Sequence, residues 1–96
     1  MRPSEALSAH RADIRRIVES HHATNARVFG SVLTGDDTED SDLDLLIDPT
    51  DQTTLFDIGA IRGETGRLLG VKVDVLTPNA LPAKWRDAVL AEAQPV

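Results

Sequence analysis

The feature that most constrains the fold is a stretch in mid-chain where acidic and apolar residues alternate. In residues 42–47, Leu43, Leu45 and Ile47 alternate with Asp42, Asp44 and Leu46. Because successive side chains of a β-strand point to opposite faces, one face of this stretch is apolar and the other carries two carboxylates. The pattern predicts a strand whose apolar face belongs to a core.

The rest of the chain predicts helices and two more strands. We expect a helix capped by Ser4 and ending at residues 20–22, and a strand at 27–29 stopped by Gly30. A second helix is expected from residue 53 or 54 to 69, closed by Gly70, followed by a strand at 71–76. A last helix at 81–93 is expected to close the sheet with Leu81, Trp85 and Val89. The order predicts an α+β fold, a small mixed sheet with helices packed on it.

Length and composition favour one small folded domain, spanning residues 1–96. The chain is 41% hydrophobic and 27% charged, which is ordinary for a globular protein. It lacks cysteine, an apolar run long enough to span a bilayer and an apolar signal stretch at its start, so we expect a cytoplasmic protein without membrane partners.

The net charge of −6 argues against binding to the phosphate backbone of a nucleic acid. The basic residues are spread singly apart from Arg15 and Arg16, whereas acidic residues cluster at 36–44. Direct nucleic-acid binding is therefore not expected. A calcium-binding loop is also disfavoured, because the required glycine and glutamate positions hold Leu45 and Asp51.

Asp42, Asp44 and Asp74 are the candidate metal ligands. Asp42 and Asp44 share one strand face, with their bases roughly 7 Å apart. Such a pair repels unless a hard cation such as Mg²⁺ binds between its members, with water and phosphate oxygens completing the coordination. Asp74 is the sole acid of the valine-rich third strand and joins the same surface if that strand lies beside the second.

Gly30 and Ser31 form a candidate phosphate-binding turn. Gly30 permits a sharp turn after the first strand, Ser31 can begin a short helical turn, and Gly35 can end it. Free N–H groups and the Ser31 hydroxyl would then form an anion cradle facing the acids.

The spacing from Gly30-Ser31 to Asp42-x-Asp44, with the later Val73-Asp74-Val75-Leu76 strand, resembles the signature of the polymerase-beta-like nucleotidyltransferases, and most closely that of their minimal branch. The resemblance implies that Gly30 and Ser31 bind the triphosphate of ATP. It also implies that Asp42, Asp44 and Asp74 are the catalytic carboxylates, which hold two Mg²⁺ ions.

The same resemblance implies an antitoxin. Minimal members are typically encoded beside small helical HEPN-domain ribonuclease toxins, so the expected reaction is attachment of AMP to a hydroxyl of such a partner. The chain departs from many minimal members at Thr34, where they carry an arginine. Arg62, Arg67 or Lys72 are candidates to supply the missing charge, although the sequence does not place them at the site.

Two other functions stay open on the sequence alone. One is an antitoxin that neutralises its partner by binding without catalysis, which Thr34 favours. The other is nucleotide addition to an RNA end, which requires a basic path that the sequence does not display.

Overall fold

The computed structural model describes all 96 residues and contains one four-stranded sheet with helices. In chain order, the elements are α1 (Pro3–Ala9), α2 (Arg11–Ser20), β1 (Ala23–Phe29), α3 (Ser31–Thr34), β2 (Leu43–Pro49), α4 (Leu55–Leu69), β3 (Val73–Leu76), a 3-10 turn (Pro78–Ala80), α5 (Ala83–Glu92) and β4 (Gln94–Pro95). The strand order is β3-β2-β1-β4. β1 pairs antiparallel with β2 and β4, whereas β2 and β3 are parallel, which confirms the predicted mixed sheet and α+β class.

The core lies on one face of the sheet, under α2 and α4. The apolar side chains of β2 that alternate with its acids, Leu43, Leu45 and Ile47, are fully buried there. Ile14 from α2 and Ile61 from α4 are equally buried and belong to the same cluster. The alternation read from the sequence therefore sets which face of β2 is covered and which face holds Asp44.

The predicted turns around α3 and α4 are confirmed. α3 begins at Ser31 directly after Gly30 and ends at Gly35, which is left-handed with φ of 80°. The Thr54 hydroxyl accepts a hydrogen bond from the N–H of Asp57 and so caps α4, and Gly70 ends that helix in a left-handed conformation.

The prediction of one N-terminal helix capped by Ser4 is wrong. The helical segment is broken at His10, where φ is −131°, and α1 is preceded by Arg2. The N–H of Ser4 donates instead to Oδ2 of the buried Asp37, at 2.9 Å. That bond lowers the pKa of the Asp37 carboxyl and fastens α1 to the loop after α3.

The prediction that Trp85 closes the sheet is also wrong. Trp85 is 58% exposed, and α5 contributes no buried residue. The 3-10 turn packs against β2 instead, and Leu81 directly after it is buried, as is Leu46 on β2. The two-residue strand β4 was not predicted, and β1 begins four residues earlier than residue 27.

No helix of the chain has the length and apolar character needed to cross a membrane.

The burial difference between Ile61 and Trp85 predicts different effects of truncating them. We expect Ile61→Ala to lower the free energy of unfolding by about 2–5 kcal/mol, because it leaves a cavity in the core. Trp85→Ala should change it by at most about 0.5 kcal/mol. Urea titration followed by far-ultraviolet circular dichroism measures both changes. If Trp85→Ala lost as much unfolding free energy as Ile61→Ala, Trp85 would have to be part of the core.

Candidate functional site

The sheet brings carboxylates from two neighbouring strands to one place. Asp44 in β2 and Asp74 in β3 are partners in the parallel register, so they stand side by side on adjacent strands. Asp42 directly precedes β2 and is half-buried, like the other two. The strand adjacency on which the sequence argument depended is therefore present: Asp44 and Asp74 stand side by side, and Asp42 lies close enough for its charge to act on Asp44.

Electrostatic repulsion marks Asp44 as the centre of this group. Partial burial raises the pKa of the Asp44 carboxyl, and the negative charges of Asp74 and then Asp42 raise it further. Asp42 has one cationic neighbour, because the Nζ of Lys72 lies 3.5 Å from its Oδ2. A cation placed beside Asp44 would relieve the repulsion that opposes its ionisation.

The Gly30–Ser31 turn lies against Asp44. Gly30 has φ of 77°, a conformation that L side chains rarely adopt, and a Cβ at this position would collide with Oδ2 of Asp44. Ser31 then begins α3, in which the N–H groups of Leu33 and Thr34 donate to the Gly30 carbonyl while those of Ser31 and Val32 have no backbone partner. Only a glycine allows the turn and the carboxylate to come this close together, so the predicted register between them is built into the fold.

An open cleft of about 470 Å³ lies next to the acids. Asp44 and Asp74 line it together with the N-terminal half of α4 and the end of β3, and Arg62 is its basic residue. The sequence argument did not assign Arg62 to the site. A signal was available, since Leu55, Ile58, Gly59 and Arg62 follow helical spacing and lie on one face of α4.

Thr34 occupies the position where many minimal members carry arginine, and it supplies no charge. Its hydroxyl lies 3.0 Å from Oδ2 of Asp36, and the side chain is exposed. Arg62 in the cleft and Lys72 beside Asp42 are the cations that the fold places near the acids.

The donor set fits Mg²⁺ without forming a complete protein cage. No group of three or more acidic, histidine or cysteine side chains is arranged to hold a metal by itself. Mg²⁺ in phosphate-handling sites is usually held by one or two carboxylates, with water and substrate phosphates as the other ligands. Asp44 and Asp74, with an open cleft in front of them, match that mode of binding.

A mixed sheet that presents acids from adjacent parallel strands beside a glycine turn defines a nucleotidyltransferase fold. The sequence agrees, because residues 11–94 match the family model described as the nucleotidyltransferase domain. The chain belongs to this family and is an enzyme of the nucleotidyltransferase class.

Relatives share the family assignment at moderate identity. A Methanocaldococcus jannaschii protein, provisionally named a protein adenylyltransferase, is 34% identical over 77 residues, which cover 80% of this chain and 83% of the relative. The protein adenylyltransferase MntA of Thermococcus cleftensis is 31% identical over 86 residues, covering 90% of this chain and 84% of MntA.

Solved structures share the fold. One that is provisionally described as a minimal nucleotidyltransferase has a TM-score of 0.87 and 40% identity, covering 97% of this chain and 95% of the other. A toxin–antitoxin complex crystallised with AMP-PNP has a TM-score of 0.74 at 15% identity, covering 88% of this chain and 70% of the other chain. The latter likeness concerns the fold alone.

Gly30 and Gly35 provide a matched pair for testing the close approach to Asp44. Both have positive φ, but a Cβ at Gly35 would meet no atom within 4 Å. Gly35 is left-handed, with ψ of 11°, so Gly35→Ala should lose about 1–2 kcal/mol of unfolding free energy from backbone strain. Gly30 has ψ of −151°, in a region almost confined to glycine, where the strain alone is roughly 1–3 kcal/mol. Gly30→Ala should lose more, and should also weaken binding of Mg²⁺–ATP by at least about 10-fold, which is 1.4 kcal/mol. Chemical denaturation and isothermal titration calorimetry measure these effects, and equal behaviour of the two variants would contradict the collision with Asp44.

Repulsion between Asp44 and Asp74 predicts that removing one charge stabilises the protein. In metal-free buffer at neutral pH, Asp74→Asn should raise the free energy of unfolding by roughly 0.2–1 kcal/mol. Because the pKa of Asp44 is raised, the repulsion is present above that pKa, and the gain should shrink as the pH falls below it. Asp40→Asn removes an exposed charge and is the control. A lower free energy of unfolding in Asp74→Asn than in the unchanged protein would show that favourable contacts of the Asp74 carboxylate outweigh its repulsion by Asp44.

Proposed function

We propose that this enzyme transfers AMP from ATP to a hydroxyl of a partner protein, with Mg²⁺ as cofactor. The observation that supports this proposal most directly is the register that places Asp44 beside Asp74, with Gly30 closed against Asp44. Carboxylates that repel one another beside an anion-binding turn suit a metal-bound triphosphate better than they suit a structural role.

In this proposal, Asp42, Asp44 and Asp74 hold two Mg²⁺ ions. When bound, the ions lower the pKa of the attacking hydroxyl and neutralise charge on the phosphoryl oxygens. The Ser31 hydroxyl and the N–H groups of Ser31 and Val32 hold the leaving phosphates, because α3 starts at that point and these two N–H groups have no backbone partner. The absence of a side chain at Gly30 lets the turn that would hold those phosphates lie directly against Asp44.

Arg62 takes over the electrostatic role that Thr34 cannot play. Arg62 lines the same cleft as Asp44 and Asp74, from which its positive charge can act on the reacting phosphate. Lys72 offsets the charge of Asp42 until a cation binds. Positioning and charge compensation are the contributions of these side chains to in-line displacement.

The proposed acceptor is a protein, and specifically a HEPN-domain toxin that AMP attachment neutralises. Two relatives carry protein adenylyltransferase names, and a chain with the same fold is part of a toxin–antitoxin complex crystallised with AMP-PNP. These comparisons support a toxin partner and a nucleotide substrate for this chain. The cytoplasmic location expected from the sequence stays a prediction.

The second candidate function is neutralisation by binding alone, and Thr34 is the residue that favours it. Loss of the usual arginine weakens the case for turnover, while the fold and the acids would still provide a docking surface. RNA-end addition has less support, because the net charge of −6 disfavours binding to a polyanion.

The test is nucleotide transfer to the product of the neighbouring gene. The protein, Mg²⁺, labelled ATP and that partner are incubated together, and the intact masses of both chains are measured. We expect AMP on the partner, and a loss on the order of 100-fold or more in Asp42→Ala. Asp40→Ala, which removes an exposed acid of the same loop, should retain full transfer. Full transfer of AMP by Asp42→Ala would refute the mechanism. If the partner lost its toxin activity in a complex that carries no AMP, neutralisation by binding would be favoured.

A further inference from the structure

A second open cleft, of about 390 Å³, adjoins the acidic one. The two clefts share Gly59 and Arg62, and the second is lined further along α4 and at the start of β3 by Arg67 and Lys72. Together they form one groove between α4 and β3, which we call the α4–β3 groove. It leads from three cations to Asp44 and Asp74.

The cations of this groove are available for a ligand. Neither Arg62 nor Arg67 makes a salt bridge or a side-chain hydrogen bond, whereas the guanidinium of every other arginine is engaged: Arg2, Arg11, Arg15, Arg16, Arg27 and Arg86. Lys72 pairs only with Asp42, at 3.5 Å with Lys72 63% exposed, and such a surface pair contributes little stability. In a chain of net charge −6, the unengaged arginines are thus confined to this groove.

The wall of the groove is free of bulky side chains where the cations lie. Gly59, Gly63 and Gly66 line the groove on α4, Gly59 exposed and the other two half-buried, and each costs the helix roughly 1 kcal/mol relative to alanine. The guanidinium of Arg67 lies over Gly63, 3.3 Å from where a Cβ would stand. The glycines leave room for Arg67 and for a chain passing beside it.

The other wall of the groove is an open strand edge. β3 is the terminal strand of the sheet and pairs only with β2, so its outer backbone groups have no strand partner. An extended polypeptide can satisfy such groups by lying alongside them, which a nucleic acid backbone cannot do. Leu55, which is 85% exposed at the start of α4, adds apolar surface at the acidic end.

The groove lies on the side from which the acceptor must approach. In an in-line displacement, the attacking hydroxyl and the leaving pyrophosphate are on opposite sides of the reacting phosphorus. Gly30 and Ser31 follow β1 on one side of β2, whereas α4 packs against β3 on the other side. A segment in the groove therefore presents its hydroxyl opposite the turn proposed to hold the pyrophosphate.

We propose that the α4–β3 groove docks an extended, acidic segment of the acceptor protein, with its carboxylates on Arg67 and Lys72 and its hydroxyl directed to Asp44, while Arg62, which both clefts share, faces the phosphate. This inference rests on the proposed protein acceptor. It specifies that the acceptor protein is acidic around the residue that receives AMP. It also makes Arg67, which lies outside the acidic cleft, a determinant of which acceptor is chosen.

Two peptides test the docking without requiring transfer. Each carries one tyrosine, flanked by glutamates in one peptide and by lysines in the other, and each is titrated into the isotope-labelled protein at low salt with amide chemical shifts as the readout. A protein of net charge −6 prefers the lysine peptide unless a local basic site reverses that order. We expect the glutamate peptide to bind at least about 10-fold more tightly, with shifts along α4 and β3.

Arg67→Glu and Lys84→Glu are the matched variants. Each replaces one positive charge with one negative charge, but Lys84 lies on α5, away from the groove. We expect Arg67→Glu to lose about 10-fold or more in affinity for the glutamate peptide, while Lys84→Glu changes less than about 2-fold. Binding of Mg²⁺–ATP should be unchanged in both.

Three results would overturn the inference. They are a preference for the lysine peptide, an equal loss in both variants, or a loss of Mg²⁺–ATP binding in Arg67→Glu that matches its loss of peptide. Tighter binding of a short oligoadenylate, abolished by Arg67→Glu, would assign the groove to nucleic acid instead. Failure of the proposed function gives a different result in a different experiment, because AMP would then still be attached to the partner by the Asp42→Ala variant.

Discussion

Forced proximity of like charges is the interaction around which this small protein is arranged. The parallel pairing of β2 with β3 places Asp44 directly beside Asp74, and Asp42 adds a third negative charge. Nothing in the core requires these acids, since the face that stabilises the sheet is the apolar one. The fold thus holds a locally unfavourable charge arrangement in place with packing on the opposite face, as is common where a site must receive a cation.

The glycines near the site follow from the same requirement for space. Gly30 has no side chain because the carboxylate of Asp44 occupies the position a Cβ would take, and α4 accepts three glycines although each lowers its helical stability. A helix of ordinary composition would be more stable on its own. The tertiary contacts of Ile61 and Leu69 with the core compensate for these losses and leave the outer face of α4 open.

Sequence reasoning predicted the local features well and the distant contacts poorly. The alternation in β2, the turn at Gly30 and the end of α4 at Gly70 depend on neighbouring residues, and the sequence predicted all three. The hydrogen-bond partner of Ser4 was not predicted, because its N–H donates to Asp37, 33 residues away in the sequence. Trp85 was misplaced because its size suggested a core role that the 3-10 turn takes instead. Arg62 was missed at the site for a related reason, since helical spacing places it on a face but does not say what that face borders.

The two edges of the sheet are not equivalent, and this limits how the protein can assemble. On one side, β4 covers β1 with only two residues, one of them Pro95, and Val96 is buried beyond it. On the other side, β3 is open. Head-to-tail stacking of copies into a fibre needs two receptive edges per molecule, and a proline at an edge cannot donate to an incoming strand. Pro95 makes the β4 edge a poor partner for an incoming strand, so the molecule can use the exposed β3 edge for recognition with less tendency to act as a template for its own polymerisation.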